Sequence, residues 1–147
     1  MHISREVYNG IMIFIGIGLY FLTMELLGLS DIFLLRLLNI VIVVYFVNKT
    51  IKSNYAEGKT AYLDNIISGS LTSLIGVALS VAALLAYISM KGGDAYLAKL
   101  SQNFLFGGGQ PSMYQYCIGL LFEGIASSII ITFTLMQYWK DRRVKSF

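Results

Sequence analysis

Three ionisable residues, Glu25, Arg36 and Glu123, lie inside apolar runs of a 147-residue chain. A charge in hydrocarbon is costly, so such residues face protein or water and mark ion paths, proton relays or ligand contacts. Glu123 is the deepest. It sits ten residues into the run that starts at Met113, about 15 Å from the end of that run at ~1.5 Å per helical residue. At helical spacing its face reads Tyr116, Gly119, Glu123, Ser127, Ile130, Thr134 and Gln137. All but Ile130 are polar or small, so the face is expected to point into a bundle, a partner subunit or a wet cavity. Tyr116, Glu123, Ser127 and Thr134 are the candidate intramembrane polar site. A carboxyl there suits a proton or cation site, or a contact to a substrate amine. The plainer role is a hydrogen bond to a neighbouring helix.

Glu25 stands four residues before Leu29 and Arg36 five residues after Asp31. Neighbouring helices joined by a tight turn would place both roughly 6–8 Å from one membrane surface. They are expected to form an ion pair that pins the hairpin, with Arg36 also able to snorkel to the headgroups. In the third run, Asn65, Gly69, Thr72, Gly76, Ser80, Ala83 and Tyr87 fall on one helical face. Gly69, Thr72, Gly76 and Ser80 are expected to form a packing surface, because small residues let helix backbones approach closely.

Other chemistries find no residues to carry them. His2 and Cys117 are the only histidine and cysteine, so a zinc, iron or haem site within one chain is not expected, and neither is an internal disulfide. Gly16 and Gly18 lack the preceding strand and third glycine of a dinucleotide-binding turn. No nucleophile elbow, phosphate-binding loop or metalloprotease helix is present, and a single Arg36 does not make a voltage sensor. No cofactor and no catalytic residue are expected.

The elements that must position these residues are four apolar runs, Ile11 to Leu29, Ile32 to Ile51, Ile66 to Met90 and Met113 to Trp139. Each approaches or exceeds the ~20 residues that span a hydrocarbon core about 30 Å thick. Mean hydropathy is +0.70, with 56% hydrophobic and 13% charged residues, where soluble domains carry about 25% charged. The expected fold is all-α, a polytopic membrane protein with four transmembrane helices over 9–29, 32–51, 62–90 and 113–139 in one antiparallel bundle. The first run is too long for a signal-peptide core and lacks a cleavage site, so it reads as an uncleaved span. Ser30 or Asp31 is expected to cap the second helix. The polar stretch from Ser53 to Thr60 reads as a loop. Leu97, Leu100 and Phe104 put an apolar stripe on a short helix over 94–106 that lies in the interface. Gly107–Gly109 then breaks the chain before Pro111 leads into the last span.

Charge sets the orientation. Both termini share a side with the 53–60 loop, and that side holds eight of the eleven Lys and Arg. Lys91 and Lys99 lie on the other side and Arg36 within a span. The positive-inside rule therefore places both termini in the cytoplasm, with anionic lipids as the partner of the basic helix ends. Nucleic acid is not an expected partner. A homo-oligomer or a larger membrane complex is compatible with the small-residue faces.

The four spans, the polar loop with Tyr55, Glu57, Gly58 and Lys59, the glycine-bearing third helix and the amphipathic segment before the last span resemble a family of small membrane proteins typical of the Bacteroidota and catalogued as a domain of unknown function. The resemblance covers nearly the whole chain and implies a four-span bundle in a bacterial inner membrane, but no activity or site residues. Small four-span multidrug exporters also carry one membrane glutamate, but theirs lies in the first helix. Two roles are expected from the residues: a non-enzymatic accessory, assembly or scaffold component of the membrane, or a small oligomeric transporter or proton-coupled channel using Glu123. They differ in whether polar groups from several helices meet at one depth.

Overall fold

The computed structural model describes residues 3–29, 32–100 and 112–145, and these are helical apart from short turns. In chain order the helices are α1 (Arg5–Leu26), α2 (Phe33–Arg36), α3 (Asn39–Ala56), α4 (Tyr62–Lys91), α5 (Asp94–Leu100) and α6 (Met113–Lys145). Four segments are long and apolar enough to cross a membrane: Arg5–Leu26, Leu34–Ala56, Tyr62–Lys91 and Met113–Asp141.

Local chemistry sets the helix ends. The Ser4 hydroxyl accepts from the Val7 amide at 3.4 Å and opens α1, as N-cap serines do. At the end of α3, Gly58 takes a φ of +81°, and the Lys59 amide reaches back to the Asn54 carbonyl at 2.9 Å. That left-handed glycine closure satisfies carbonyls that the helix end leaves free.

Two expectations about the second run are corrected. It is not one helix over 32–51, because a turn at Leu37–Leu38 separates α2 from α3. The Tyr20 hydroxyl donates to the Leu35 carbonyl at 2.7 Å, and the Leu38 amide bonds to the same oxygen at 3.2 Å. In a regular helix that carbonyl would receive the amide of Asn39. A side chain inserted into the ladder is a physical cause of such a break. At the other end, Ser53–Ala56 is helix and not loop. Asn54 is buried there, accepts from Arg5 at 2.7 Å and donates to Ser68 at 3.0 Å. Tertiary partners thus satisfy a residue that otherwise favours turns.

The short helix before the last span is present as α5. Its expected continuation over 101–106 lies outside the described residues, as do Ser30, Asp31 and Pro111. The Leu97 side chain is wholly buried with Ile88, Tyr116 and Cys117. Asp94 accepts from the Met113 amide at 2.9 Å and ties α5 to the start of α6. The helical backbone of α6 continues beyond Trp139 to Lys145, through lysines and arginines that are good helix formers.

α4 is the hub and packs against α1, α3, α5 and α6. Its contact with α1 brings backbone against backbone. A Cβ built on Gly76 would lie 2.5 Å from Ile13 Cγ2 and 3.1 Å from the Gly10 carbonyl oxygen, and a Cβ on Gly10 would lie 3.0 Å from the Thr72 carbonyl oxygen. Only glycine allows this approach. α3 and α6 meet near the end that holds the termini, where Trp139 donates to Asn48 at 2.9 Å and stacks on Tyr55 at 5.4 Å between ring centroids. Ile13, Val43, Val47, Ile51, Ile131 and Met136 form the apolar core at that level.

A hydrogen-bonded polar layer runs through the same end. Asn9 donates to Thr50 at 2.8 Å, and the Thr50 and Thr72 hydroxyls are 3.2 Å apart. Ser68 donates to Glu6 at 2.6 Å, and Arg5 pairs with Glu57. Asn9, Thr50, Ser68 and Thr72 are buried, and burying them unpaired would cost several kcal/mol apiece in an apolar medium, on the order of 4–8 for a water-to-hydrocarbon transfer, so they hold α1, α3 and α4 in one register.

Candidate functional site

Away from that core, α6 stays on α4 while α3 draws away from it, leaving a cavity of about 400 Å³. Phe14, Ile17 and Phe21 line it from α1, Val81 and Leu84 from α4, and Leu120 from α6. Its polar groups include Tyr20 from α1, Arg36 from α2, Asn39 from the first turn of α3, Ser80 from α4, and Tyr116, Glu123 and Ser127 from α6. One end is closed by Val43 and Ile131, both members of the apolar core. At the other end the Arg36 guanidinium lies over the Tyr116 ring, 5.6 Å from its centroid.

The break after Arg36 builds this wall. It ends α2 at Arg36 and starts α3 at Asn39, and both residues line the cavity together with the Tyr20 side chain that causes the break. Tyr116 is wholly buried in the cluster of Ile88, Leu97 and Cys117. That anchorage fixes the ring under the cation.

The expected Glu25–Arg36 pair is not formed. The ion pairs among the described residues are Arg5–Glu57 and Lys59–Glu57. Arg36 turns to Tyr116, whereas Glu25 faces Tyr96 of α5. Burial first, then the Glu25 carboxylate and Tyr87, push the Tyr96 phenol well above its ordinary range. The Glu25 Oε2 atom and the Tyr96 hydroxyl are both buried and complete no hydrogen bond. Tyr96 also meets Tyr87 edge-on at 5.9 Å, and Tyr87 meets Phe21 at 5.4 Å. The cause of the miss is α5, which supplies Glu25 with a neighbour that depth along a hairpin does not reveal.

The α6 residues divide. Tyr116, Glu123 and Ser127 reach the cavity. Thr134 does not: it is exposed, and its hydroxyl donates to the Ile130 carbonyl of its own helix at 2.8 Å. The buried side there is Ser128, Ile131, Thr132 and Met136. The face from Tyr116 to Gln137 repeats every seven residues, and a straight helix drifts about 20° per heptad from such a repeat. Over three heptads the stripe has turned about 60°, enough to carry its far end to the surface. On α4, Gly69 and Gly76 are buried against neighbouring helices, Thr72 bonds to Thr50, and Ser80 lies on the cavity wall.

Reading the sequence missed Asn9, Thr50, Asn54 and Ser68 of the polar layer, and Gly10 and Gly124. Polar residues four apart near a span end, such as Thr50 and Asn54, are the signal that was available. Gly124, which packs against Val77, carries no such signal. Among the described residues no group of three or more His, Cys, Asp or Glu comes together to hold a metal ion. No family of known proteins, no curated protein and no solved structure matches this chain.

Proposed function

We propose that this chain is a non-enzymatic integral protein of a bacterial inner membrane, a four-helix antiparallel bundle with both termini in the cytoplasm, and that it works as an accessory component by holding a guest molecule in the cavity between α3 and α6. The observation that supports it is a cavity with a polar rim, Arg36 over Tyr116, and a packed floor, Val43 against Ile131. A pocket of ~300–1,000 Å³ with apolar walls and a few placed polar groups suits a small ligand. Orientation rests on the excess of Lys and Arg beside the polar layer. Anionic lipids would then meet Lys49, Lys52, Lys59 and the basic end of α6. The exposed apolar side chains of Leu26 and Met90 leave room for lipid, a second copy or a larger complex around the bundle.

The second reading is a small transporter or proton-coupled channel. What favours it is that Arg36, Asn39 and Glu123 reach one cavity from three elements. Beyond the floor, however, the residues are close-packed or hydrogen-bonded to one another, as in the layer of Asn9, Thr50 and Thr72. Proteoliposomes under imposed proton, potassium and lipophilic-cation gradients separate the two. Guest holding expects no flux above that of empty vesicles. Flux that Glu123→Gln abolishes would establish transport and refute the proposal. Topology is checked with Lys59→Cys and Ala98→Cys in a Cys117→Ser background. The first should react with impermeant maleimide only from the cytoplasm and the second only from outside, and the reverse pattern would invert the assignment.

A further inference from the structure

Cavity shape and charge together identify a class of guest. On α6 the cavity extends from Tyr116 to Ile131, about 22 Å along the helix. A volume of about 400 Å³ over that length makes a slender cavity. Its apolar walls suit one extended acyl chain better than a stack of rings.

The polar groups are distributed unevenly along it. Arg36 is at the rim and makes no ion pair among the described residues. It lies over the face of Tyr116, which attracts a cation without neutralising it. Asn39, on the same wall, takes no part in the side-chain hydrogen bonds among the described residues, and its Oδ1 is buried without a partner. The Arg36 guanidinium and the Asn39 NH₂ group are donors to a carboxylate or phosphate oxygen, whereas the Asn39 Oδ1 is an acceptor and needs a donor such as the hydroxyl of a protonated head. Glu123 lies seven residues further along α6, about 10 Å deeper. A second anionic group at that depth would meet its carboxyl. Below the rim the walls are mostly Phe14, Ile17, Phe21, Val81, Leu84 and Leu120.

We infer that the guest is a single-chain anionic amphiphile, its carboxylate or phosphate head held by Arg36 and Asn39 and its acyl chain running past Glu123 to the Ile131 floor. This rests on the guest-holding reading above and adds the charge of the head and the number of chains. An annular lipid would be held by apolar contact alone, with no headgroup preference. A carboxylate and a phosphate monoester share the chemistry that Arg36 recognises, so both belong to the inference.

The test uses the full chain purified in a non-ionic detergent and a diazirine-bearing long-chain fatty acid as probe. After photolysis, label is mapped by peptide mass spectrometry. Four competitors are compared: an alkyl carboxylate, an alkyl phosphate and a primary alcohol of one chain length, and a diacyl phosphatidylglycerol. Labelling is expected on cavity-lining residues of α1 and α6. The carboxylate or the phosphate should compete at least tenfold better than the alcohol and the diacyl lipid, and the better of the two names the head. Arg36→Gln should reduce that charge preference at least fivefold, with Arg36→Lys keeping part of it. Gly18→Leu supplies an independent variant, since a Cβ there meets nothing within 4 Å and the residue lines the cavity. It should cut labelling by all probes while leaving Arg36 in place. An alcohol that competes as well as the anions would overturn the headgroup assignment and leave guest holding intact. A diacyl lipid that competes as well as the best single-chain anion would overturn the single-chain assignment. Label spread evenly over the outer faces and unaffected by Gly18→Leu would overturn both the inference and the guest-holding reading.

Discussion

Gly76→Ala and Gly18→Ala are the same chemical change with different expected outcomes. Each adds one methyl to a helix and gains up to about 1 kcal/mol of helix propensity. At Gly76 the new Cβ falls 2.5 Å from Ile13 Cγ2 and 2.7 Å from Ile13 Cβ, with the Gly10 carbonyl oxygen 3.1 Å away. Carbon atoms in contact prefer about 3.5–4.0 Å, so α1 must move off α4 by roughly 1 Å or Ile13 must leave its rotamer. Ile13 is wholly buried and β-branched, which leaves it one preferred helical rotamer. Overpacking of this kind costs about 1–3 kcal/mol. At Gly18 nothing lies within 4 Å of the built Cβ. The propensity gain cancels between the two variants, so Gly76→Ala should be less stable than Gly18→Ala by about 1–3 kcal/mol. Reversible unfolding in mixed dodecylmaltoside and dodecyl sulfate micelles, followed by circular dichroism, measures the difference. Equal stability would refute the close approach of α1 and α4 and the packing role of Gly76.

Glu25→Ala and Arg36→Ala should be additive within about 0.5 kcal/mol in the same assay, since they have different partners; a larger interaction energy would restore the hairpin ion pair. Tyr20→Phe removes the hydrogen bond to Leu35 and should cost about 1 kcal/mol, and unchanged stability would detach Tyr20 from the break before α3. Asn54→Ala strips partners from Arg5 and Ser68 and should cost about 1–3 kcal/mol; a neutral result would mean that the polar layer is not structural. The Arg5 hydrogen bond holds the exposed Glu57 carboxyl below its ordinary range, so its contribution is complete above that range and is lost as pH falls through the lowered folded value. Thermal unfolding from neutral to acid pH should therefore show a shallower acid loss in Glu57→Gln than in the wild type, and identical slopes would count against the pair.

The four membrane-length helices were legible in the sequence because length and hydropathy are local properties. Ile11 to Leu29 is apolar whatever it packs against. The small-residue face of α4 was legible for the same reason, since Gly69, Thr72 and Gly76 recur at helical spacing. Tertiary structure decided what these residues meet. Arg36 and Glu25 stand at similar distances along the chain from the turn between them, yet Arg36 lies on Tyr116 of α6 and Glu25 beside Tyr96 of α5, because position along a helix says nothing about azimuth or about a third helix nearby. The break at Leu37–Leu38 needed Tyr20 from another helix, and the helical state of Ser53–Ala56 went with Arg5 and Ser68 bonding to Asn54. The cavity is the least local feature: it exists because α3 and α6 meet at one end through Asn48 and Trp139 and diverge at the other. A void is made by the angle between helices, and that angle is a sum of contacts that no single segment contains.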